Sequence, residues 1–412
     1  MSWHAIAAVL AFAAPLAAAL APAAQAESSD KPRVSGPVVH DNLAVYFVHG
    51  PSTPGPVPLT LGEAIAAGKV TVHETGRVSQ LAIENASDEA VFVQAGDIVK
   101  GGRQDRVLTV SFLVPPKSGR VPIGAYCVER GRWTARGIED AKRFASSEKS
   151  VPSRAAKLAI LSPSIHTAGL GAPAMTSRPS GPERAHVVPN QQRILAPPAG
   201  ASDRLAAQTG EVRSAAQDSA EQEARQARLR RAIRNFTTDG SRQSEVWALV
   251  DSAQRKLSAN VGANVSAAAS ATSLQLALEN KRLAALRETY TNALKPAGTA
   301  AADIVGYVFA INGKIVSGDV YPSTGLFRKM WSKQIEAGAT EAIAEKTTGT
   351  STTPSVEQVQ TFLAQAETGN TTLSKLDGNS LVREARDTDN ALFLETRQSA
   401  GGFIHRSYLA RR

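Results

Sequence analysis

Two short windows of the sequence hold an unusual density of groups able to do chemistry. Lys100, Arg103, Gln104, Asp105 and Arg106 fill the first, and Glu129, Arg130 and Arg132 the second. Guanidinium groups hold carboxylates and phosphates through paired hydrogen bonds, and a carboxylate beside them can orient a ligand or move a proton. Arg103, Gln104, Arg106, Glu129, Arg132 and the neighbouring Trp133 are therefore the candidate ligand-binding residues. Lys100-Gly101-Gly102-Arg103 could cradle an anion through backbone N–H groups and two cations, or be a solvated hairpin turn. Lys117-Ser118-Gly119-Arg120 has a similar composition but belongs to the opposite end of the same hairpin.

Other chemistries find less support. The seven histidines, at 4, 40, 49, 73, 166, 186 and 405, form no pair at helix or strand spacing, so no metal site is assigned. Cys127 lies mid-strand among apolar neighbours, where a core thiol is expected rather than a nucleophile. Neither a Gly-x-Ser-x-Gly elbow nor a Gly-x-x-x-x-Gly-Lys-Ser/Thr loop occurs. Trp133, Trp247 and Trp331 follow apolar patterns that suit core positions. No catalytic residue and no cofactor is assigned.

The elements that must position the candidate residues are two apolar runs, Val107–Val114 and Val121–Val128, flanking a Pro-Pro-Lys-Ser-Gly-Arg loop. Together they predict an antiparallel hairpin. If Pro115–Arg120 is its loop, Leu108 faces Cys127, Arg106 faces Glu129, and Asp105 faces Arg130. Alternation then turns Leu108, Val110, Phe112 and Val114 inward, with Arg106 and Glu129 at the end of the core. Arg106 is either half of a half-buried structural pair or a ligand anchor with Arg132 beside it.

The rest of the chain predicts an α+β fold. Its first part is a mainly antiparallel β sheet, a sandwich or open barrel, followed by helices, a β-hairpin and a packing helix. Strands are expected over Val38–Val48, Lys69–His73, Val78–Glu84 and Ala90–Gln94. Thr60-Leu61-Gly62-Glu63 is a capping box for a helix that Gly68 stops. Short helices are expected over Asp140–Ser147 and Ser153–Leu161. Ser244 caps a further helix, a longer one spans Ser273–Leu294, and Asn312-Gly313 joins strands Ile304–Ile311 and Lys314–Tyr321. Phe327, Met330, Trp331 and Ile335 share one face of the helix that follows. A helix over Val356–Ala366 and strands over Ala391–Glu395 and Phe403–Leu409 close the chain.

In domain terms, residues 1–26 read as a signal peptide and 27–160 as a β-rich part. Residues 161–235 are a Pro/Gly-rich basic insertion with a charged helix, 236–346 a helical part with the hairpin, and 347–412 a C-terminal extension. The signal rests on an uncharged apolar run that ends in Ala24-Gln25-Ala26, with cleavage expected after Ala26. A periplasmic or secreted protein follows, with no transmembrane segment after cleavage. Net charge is +9, of which +6 sits in residues 154–234, where twelve Arg or Lys meet six Asp or Glu. Charge carried by a linker suits an anionic ligand or envelope surface. Nucleic acid is not expected, because an aromatic content of 5% supplies no stacking platform. Arg225, Arg228, Arg231 and Arg234 form a basic stripe, either a solvated helix face or an anion-binding arm.

Several of these residues carry a resemblance. Gly96-Asp97, Gly101-Gly102-Arg103-Gln104-Asp105-Arg106, Val114-Pro115, Pro122, Cys127-Val128-Glu129 and Gly131-Arg132-Trp133 resemble one uncharacterised family. It is the ARG-and-rhodanese-phosphatase-superfamily-associated protein domain. Gln243-Ser244-Glu245-Val246-Trp247 and Gly306–Gly313, with Asp319, Leu326-Phe327 and Trp331, are similar to its later segments. The resemblance spans residues 38–345, apart from an insertion of about 70 residues after Leu161. It implies a fold unit and carries no known activity or catalytic residue. Two functions fit: a non-catalytic binding or scaffolding module of the cell envelope, or a hydrolase or transferase acting on an anionic small molecule at Arg106, Glu129 and Arg132. An enzyme would line a pocket with these residues and add a group such as His405 or Asp319; a module would pair and cover them.

Overall fold

The computed structural model describes residues 33–162, 240–349, 351–375, 381–398 and 401–412, and its first apolar run is two strands. β1 (Arg33–His40) and β2 (Leu43–His49) pair antiparallel around Asp41, whose φ of 52° lies in the left-handed region. A short acidic side chain tolerates that conformation, so the strand expected over Val38–Val48 breaks there. Every residue of β2 is buried, because both faces of its sheet are covered. β3 (Leu59–Thr60) leads into α1 (Leu61–Ala66), where Thr60 and Glu63 close the expected capping box. The signal peptide expected over 1–26 lies outside the described residues, as does the insertion expected over 161–235 from residue 163 onwards.

β4 (Val70–Arg77), β5 (Gln80–Asn85), β6 (Val91–Val93), β7 (Asp97–Gly101) and β8 (Arg106–Leu108) follow in order. After them come β9 (Phe112–Val114), β10 (Gly119–Cys127) and β11 (Arg143–Ser150). Six of these close a barrel in the order β10-β5-β4-β11-β7-β8, while β3, β6 and β9 form a separate small sheet. The apolar run Val107–Val114 is thus divided between two sheets. Thr109 sends both its N–H and its hydroxyl to the Gly124 carbonyl, at 3.2 and 3.1 Å. Ser111 accepts from the Ala95 N–H at 2.9 Å, so residues 109–111 bond outside any ladder and carry the chain across.

This corrects the expected hairpin. Gly119–Gly124 of β10 pair with β5, and only Ala125–Cys127 pair with β8. Leu108 faces Ala125 and Arg106 faces Cys127, two residues away from the expected register. A shift of two preserves the face, so Arg106 still points inward. β11 replaces the helix expected over Asp140–Ser147: Phe144 is buried, and the strand pairs with both β4 and β7. Gly102, at φ 55°, lies against the Phe144 ring where a Cβ would come within 2.3 Å.

α2 (Arg154–Leu161) starts at Ser153 as expected, whereas α3 (Gly240–Val261) starts ahead of Ser244. The long helix expected from Ser273 is two, α4 (Leu274–Leu278) and α5 (Lys281–Leu294). Asn280 separates them, its side chain accepting from the Arg282 and Leu283 N–H groups as a fresh N-cap. β12 (Ile304–Ile311) and β13 (Lys314–Val320) meet at Asn312 and Gly313, with φ of 49° and 75°. Both values are positive, as a type I′ turn requires. α6 (Thr324–Ala344), α7 (Val356–Ala366), β14 (Asn370–Lys375), β15 (Leu381–Asp387), β16 (Ala391–Gln398) and β17 (Phe403–Ala410) complete the fold.

The large sheet has eight antiparallel strands in the order β1-β2-β12-β13-β17-β16-β15-β14. One of its faces carries Leu43, Val45, Phe47, Tyr307 and Phe309 into a core continuous with the barrel interior and α6. Trp331 stands among Phe47, Tyr307 and Phe327, with ring centroids 5.5–5.7 Å away. The opposite face packs Ala44, Tyr46, Val308 and Ala310 against Val359 and Leu363 of α7.

Candidate functional site

At one end of the barrel, β8 and β10 run out into two loops, residues 102–105 and 128–142. The first brings Asp105 and the second Glu129, and both side chains are fully buried. Burying a carboxylate costs several kcal/mol unless cations and hydrogen bonds meet it. Here the cations come from the second loop itself. Arg132 Nε donates to Glu129 Oε1 at 2.7 Å, and its Nη2 lies 2.7 Å from Oε2. Arg136 donates from Nη1 and Nη2 to the two oxygens of Asp105 at 3.1 and 3.3 Å. Its Nη1 also lies 3.5 Å from Glu129, and its Nη2 donates to Glu139 at 2.8 Å. The Asp105 N–H donates to Glu129 Oε2 at 3.1 Å, which ties the two loops together.

The glycine turn is filled by the protein's own anion. The Gly101 N–H donates to Asp105 Oδ1 at 3.0 Å, and Ser273 donates to Oδ2 at 2.7 Å. Lys100 is paired with Glu279 at 2.8 Å. Burial pushes the Glu129 carboxyl up, but hydrogen bonds from Arg132, Ser270 and the Asp105 N–H outweigh it and leave Glu129 below its ordinary value. Arg136 is raised: burial pulls it down, and Asp105 and Glu139 more than compensate.

Arg106 is not paired with Glu129. Its Nη1 donates to the Gln104 carbonyl at 3.1 Å, and its Nη2 lies 3.5 Å from Glu74 Oε2. Nε and Nη2 donate no hydrogen bond among the described residues, although the side chain is fully buried. Above it lies Trp133, 41% exposed, with the Arg106 and Arg103 guanidinium carbons 5.7 and 5.5 Å from its ring centroid. Trp133 is therefore a surface ring between two cations rather than a core residue. Gln104 is buried and donates to the Glu129 carbonyl at 3.1 Å. Arg130, expected opposite Asp105, is exposed; its N–H donates to Thr272 and its guanidinium stands 6.0 Å from the Trp247 ring. The structure thus brings all six candidate residues to one barrel end, in pairings the sequence did not specify.

Glu74 marks the way out of this cluster. It lines a cleft of about 430 Å³ together with His73, Arg103, Arg120, Lys142 and Arg143. His73 and Arg120 both reach Glu84, at 2.8 and 3.4 Å. The His73 bond holds the Glu84 carboxyl below its ordinary value despite partial burial, and Arg120 adds to the effect. Arg103, Lys142 and Arg143 make no ion pair with any described residue. His73, Glu74, Arg136, Lys142 and Arg143 were not singled out from the sequence. The adjacent Lys142-Arg143 pair and the four-residue spacing of Arg132 and Arg136 were the available signals.

A larger cavity of about 750 Å³ lies beyond β11 and α4, and none of the six candidate residues lines it. His405 and Asp319 pair with each other at 3.3 Å on β17 and β13, where Tyr307 also donates to Asp319. Neither lines the cleft. Cys127 is buried, which raises its thiol to about 11. No helix among the described residues is long and apolar enough to cross a membrane, and none of them forms a metal-holding group of three His, Cys, Asp or Glu.

The family model described as the ARG and Rhodanese-Phosphatase-superfamily-associated Protein domain matches residues 31–171 and 206–409. The break between the two matched stretches falls within the Pro/Gly-rich segment. No curated protein and no solved structure matches the chain.

Proposed function

The chain belongs to the ARG and Rhodanese-Phosphatase-superfamily-associated Protein domain family, and from that premise we propose that it is a non-catalytic binding module. It takes an anionic ligand in the cleft between β4 and β11. One observation carries the reading: Arg103, Lys142 and Arg143 face the cleft with no ion pair among the described residues, while Asp105 and Glu129 behind them are consumed by arginines. Free cations recruit an anion, and the carboxylates behind them are committed to arginines. Of the cleft's own His73 and Glu74, the first is bonded to Glu84 at 2.8 Å and the second stands 3.5 Å from Arg106. Arg106, fully buried with two unused donors beside Glu74, adds positive charge behind the cleft wall. The apolar run and Ala24-Gln25-Ala26 support export, so the ligand would be met in the periplasm or outside the cell.

Calorimetric titration with inorganic pyrophosphate at low salt tests the cleft. Binding should weaken as salt rises and fall roughly tenfold or more in the double variant Arg103→Ala, Arg143→Ala. Absence of binding, or binding indifferent to the double variant, would remove the cleft. Release of orthophosphate during the titration would move the protein to the hydrolase reading. N-terminal sequencing of the exported form should begin at Glu27, and an intact Met1 on membrane-bound protein would remove the export reading.

A further inference from the structure

On another side of the molecule, the first turn of α2, the middle of α3, the β12–β13 turn and the last turns of α6 enclose a cavity of about 570 Å³. Leu249, Ala253, Ile311 and Val316 give it an apolar wall, and Arg154, Lys256, Lys314, Glu341 and Glu345 its charges. Glu341 is only 4% exposed. Its Oε1 accepts from the Arg154 N–H at 2.5 Å, at the start of α2, and Oε2 accepts no hydrogen bond from any described residue. No cation among the described residues stands within ion-pair distance of it. That oxygen is open to the cavity, where it can share a hydrogen bond with a molecule inside.

We propose that this cavity binds a small amphipathic monocarboxylate, its head group against Glu341 and Lys314 and its apolar body against Leu249, Ala253, Ile311 and Val316. The charge balance selects an anion. Arg154 and Lys157 stand toward Glu341 from α2, Lys256 from α3 and Lys314 from the hairpin, although the Arg154 guanidinium donates to the Ala410 and Arg412 carbonyl oxygens. Glu345 is the one other carboxylate among the described lining residues, and Tyr307 is neutral. Lys256 and Glu345 cancel each other at 2.6 Å, whereas Lys314 has no ion pair among the described residues. Two carboxyl groups can meet there only by sharing a proton. Burial pushes the Glu341 carboxyl up to about 7, against the pull of Lys157 and Arg154, so near neutrality it holds that proton for half the time. The neutral acid donates to the ligand carboxylate, and binding draws one proton from solution whenever Glu341 was ionised beforehand.

Benzoate is a suitable probe, with benzylamine as its cationic counterpart. Titration calorimetry at about pH 6, 7 and 8, in buffers of different ionisation enthalpy, should show benzoate binding that weakens toward tenfold per pH unit above neutrality. Near pH 8 about one proton should be taken up per benzoate bound. Glu341→Gln, a permanently neutral donor, should bind benzoate with no pH dependence; Lys314→Ala, on the exposed hairpin, should weaken binding equally at every pH. The double variant Arg103→Ala, Arg143→Ala should bind benzoate as the parent does, which separates this site from the cleft. Absent benzoate binding, wild-type affinity independent of pH, an unaltered profile in Glu341→Gln, or preference for benzylamine would each overturn the proposal.

Discussion

Glu129 at the barrel end and Glu341 on α6 are both buried residues, and they answer to burial in opposite ways. Glu129 has two arginines within 3.5 Å and is held below its ordinary value. Glu341 has one backbone N–H and no close cation, and is lifted to about 7. The difference lies in where the counter-charge comes from. Arg132 and Arg136 sit three and seven residues beyond Glu129 on the loop that Glu129 begins, so closing the loop delivers both. Glu341 faces the start of another helix, whose cations remain more distant. Depth alone therefore does not set a carboxyl's charge; the chain must also supply a partner at hydrogen-bond range.

The sharpest way to break this comparison is Asp105→Ala. Asp105 joins both arginines to the Gly101 N–H and Ser273, so its loss leaves two buried cations under-compensated. Denaturant unfolding should register a loss of about 3–5 kcal/mol. A loss below about 1 kcal/mol would mean that water reaches the cluster and that the two carboxylates differ for some other reason.

Glu341→Gln should act in the opposite direction. A carboxyl whose folded value exceeds its unfolded one costs nothing when both states are protonated. The cost grows as pH rises from about 4.5 and levels off above about 7. The variant should thus equal the parent near pH 4 and exceed it by up to about 3 kcal/mol near pH 8. Melting curves across that range decide the matter; a variant weaker than the parent at the alkaline end would reverse the reading of α6.

Glu129→Gln completes the pair of pH profiles. A carboxyl held low contributes stability above its unfolded value and loses it as pH falls toward the folded one. The variant should be weaker by about 2 kcal/mol near neutrality, with the gap closing in acid. A gap that stays constant down to about pH 3 would assign the loss to packing rather than charge. The scale is set by Arg255→Ala. Its i,i+4 partner Asp251 and the arginine itself are both about two-thirds exposed, so the change should stay within about 0.5 kcal/mol.

Local signals in the sequence carried much of the fold. The Thr60–Glu63 capping box, the Ser153 cap and Asn312-Gly313 each specify a neighbour within a few residues, and each was legible. Apolar periodicity did worse, because it marks burial without naming the partner. Val107–Val114 reads as one strand whether it stays in one sheet or crosses between two. Thr109 and Ser111, polar in an apolar run, were the visible sign of the crossing. β11 was read as a helix because Asp140–Ser147 has weak propensity either way, and only pairing with β4 and β7 decides it. β14 and β15 gave no alternation strong enough to expect them. For the site, strand parity placed Arg106 and Glu129 together, since a two-residue slip leaves the faces unchanged. Their partners were hidden because Glu74 lies on a strand about 30 residues upstream and Arg136 on a loop with no regular period.

The placement of β2 bears on how the protein is made. Its neighbours are β1, directly before it, and β12, which begins at Ile304, about 255 residues after β2 ends. A ribosome adding roughly 5–20 residues per second would need on the order of 10–50 s to cover that distance. Through that interval the β1–β2 hairpin is a nascent-chain hazard, with one unpaired apolar edge and two uncovered faces. The barrel strands, all drawn from residues 70–150, face no such wait. Vectorial emergence of the chain, from the ribosome or across a membrane, therefore favours a barrel that closes early and a sheet completed only after β12 to β17 have emerged.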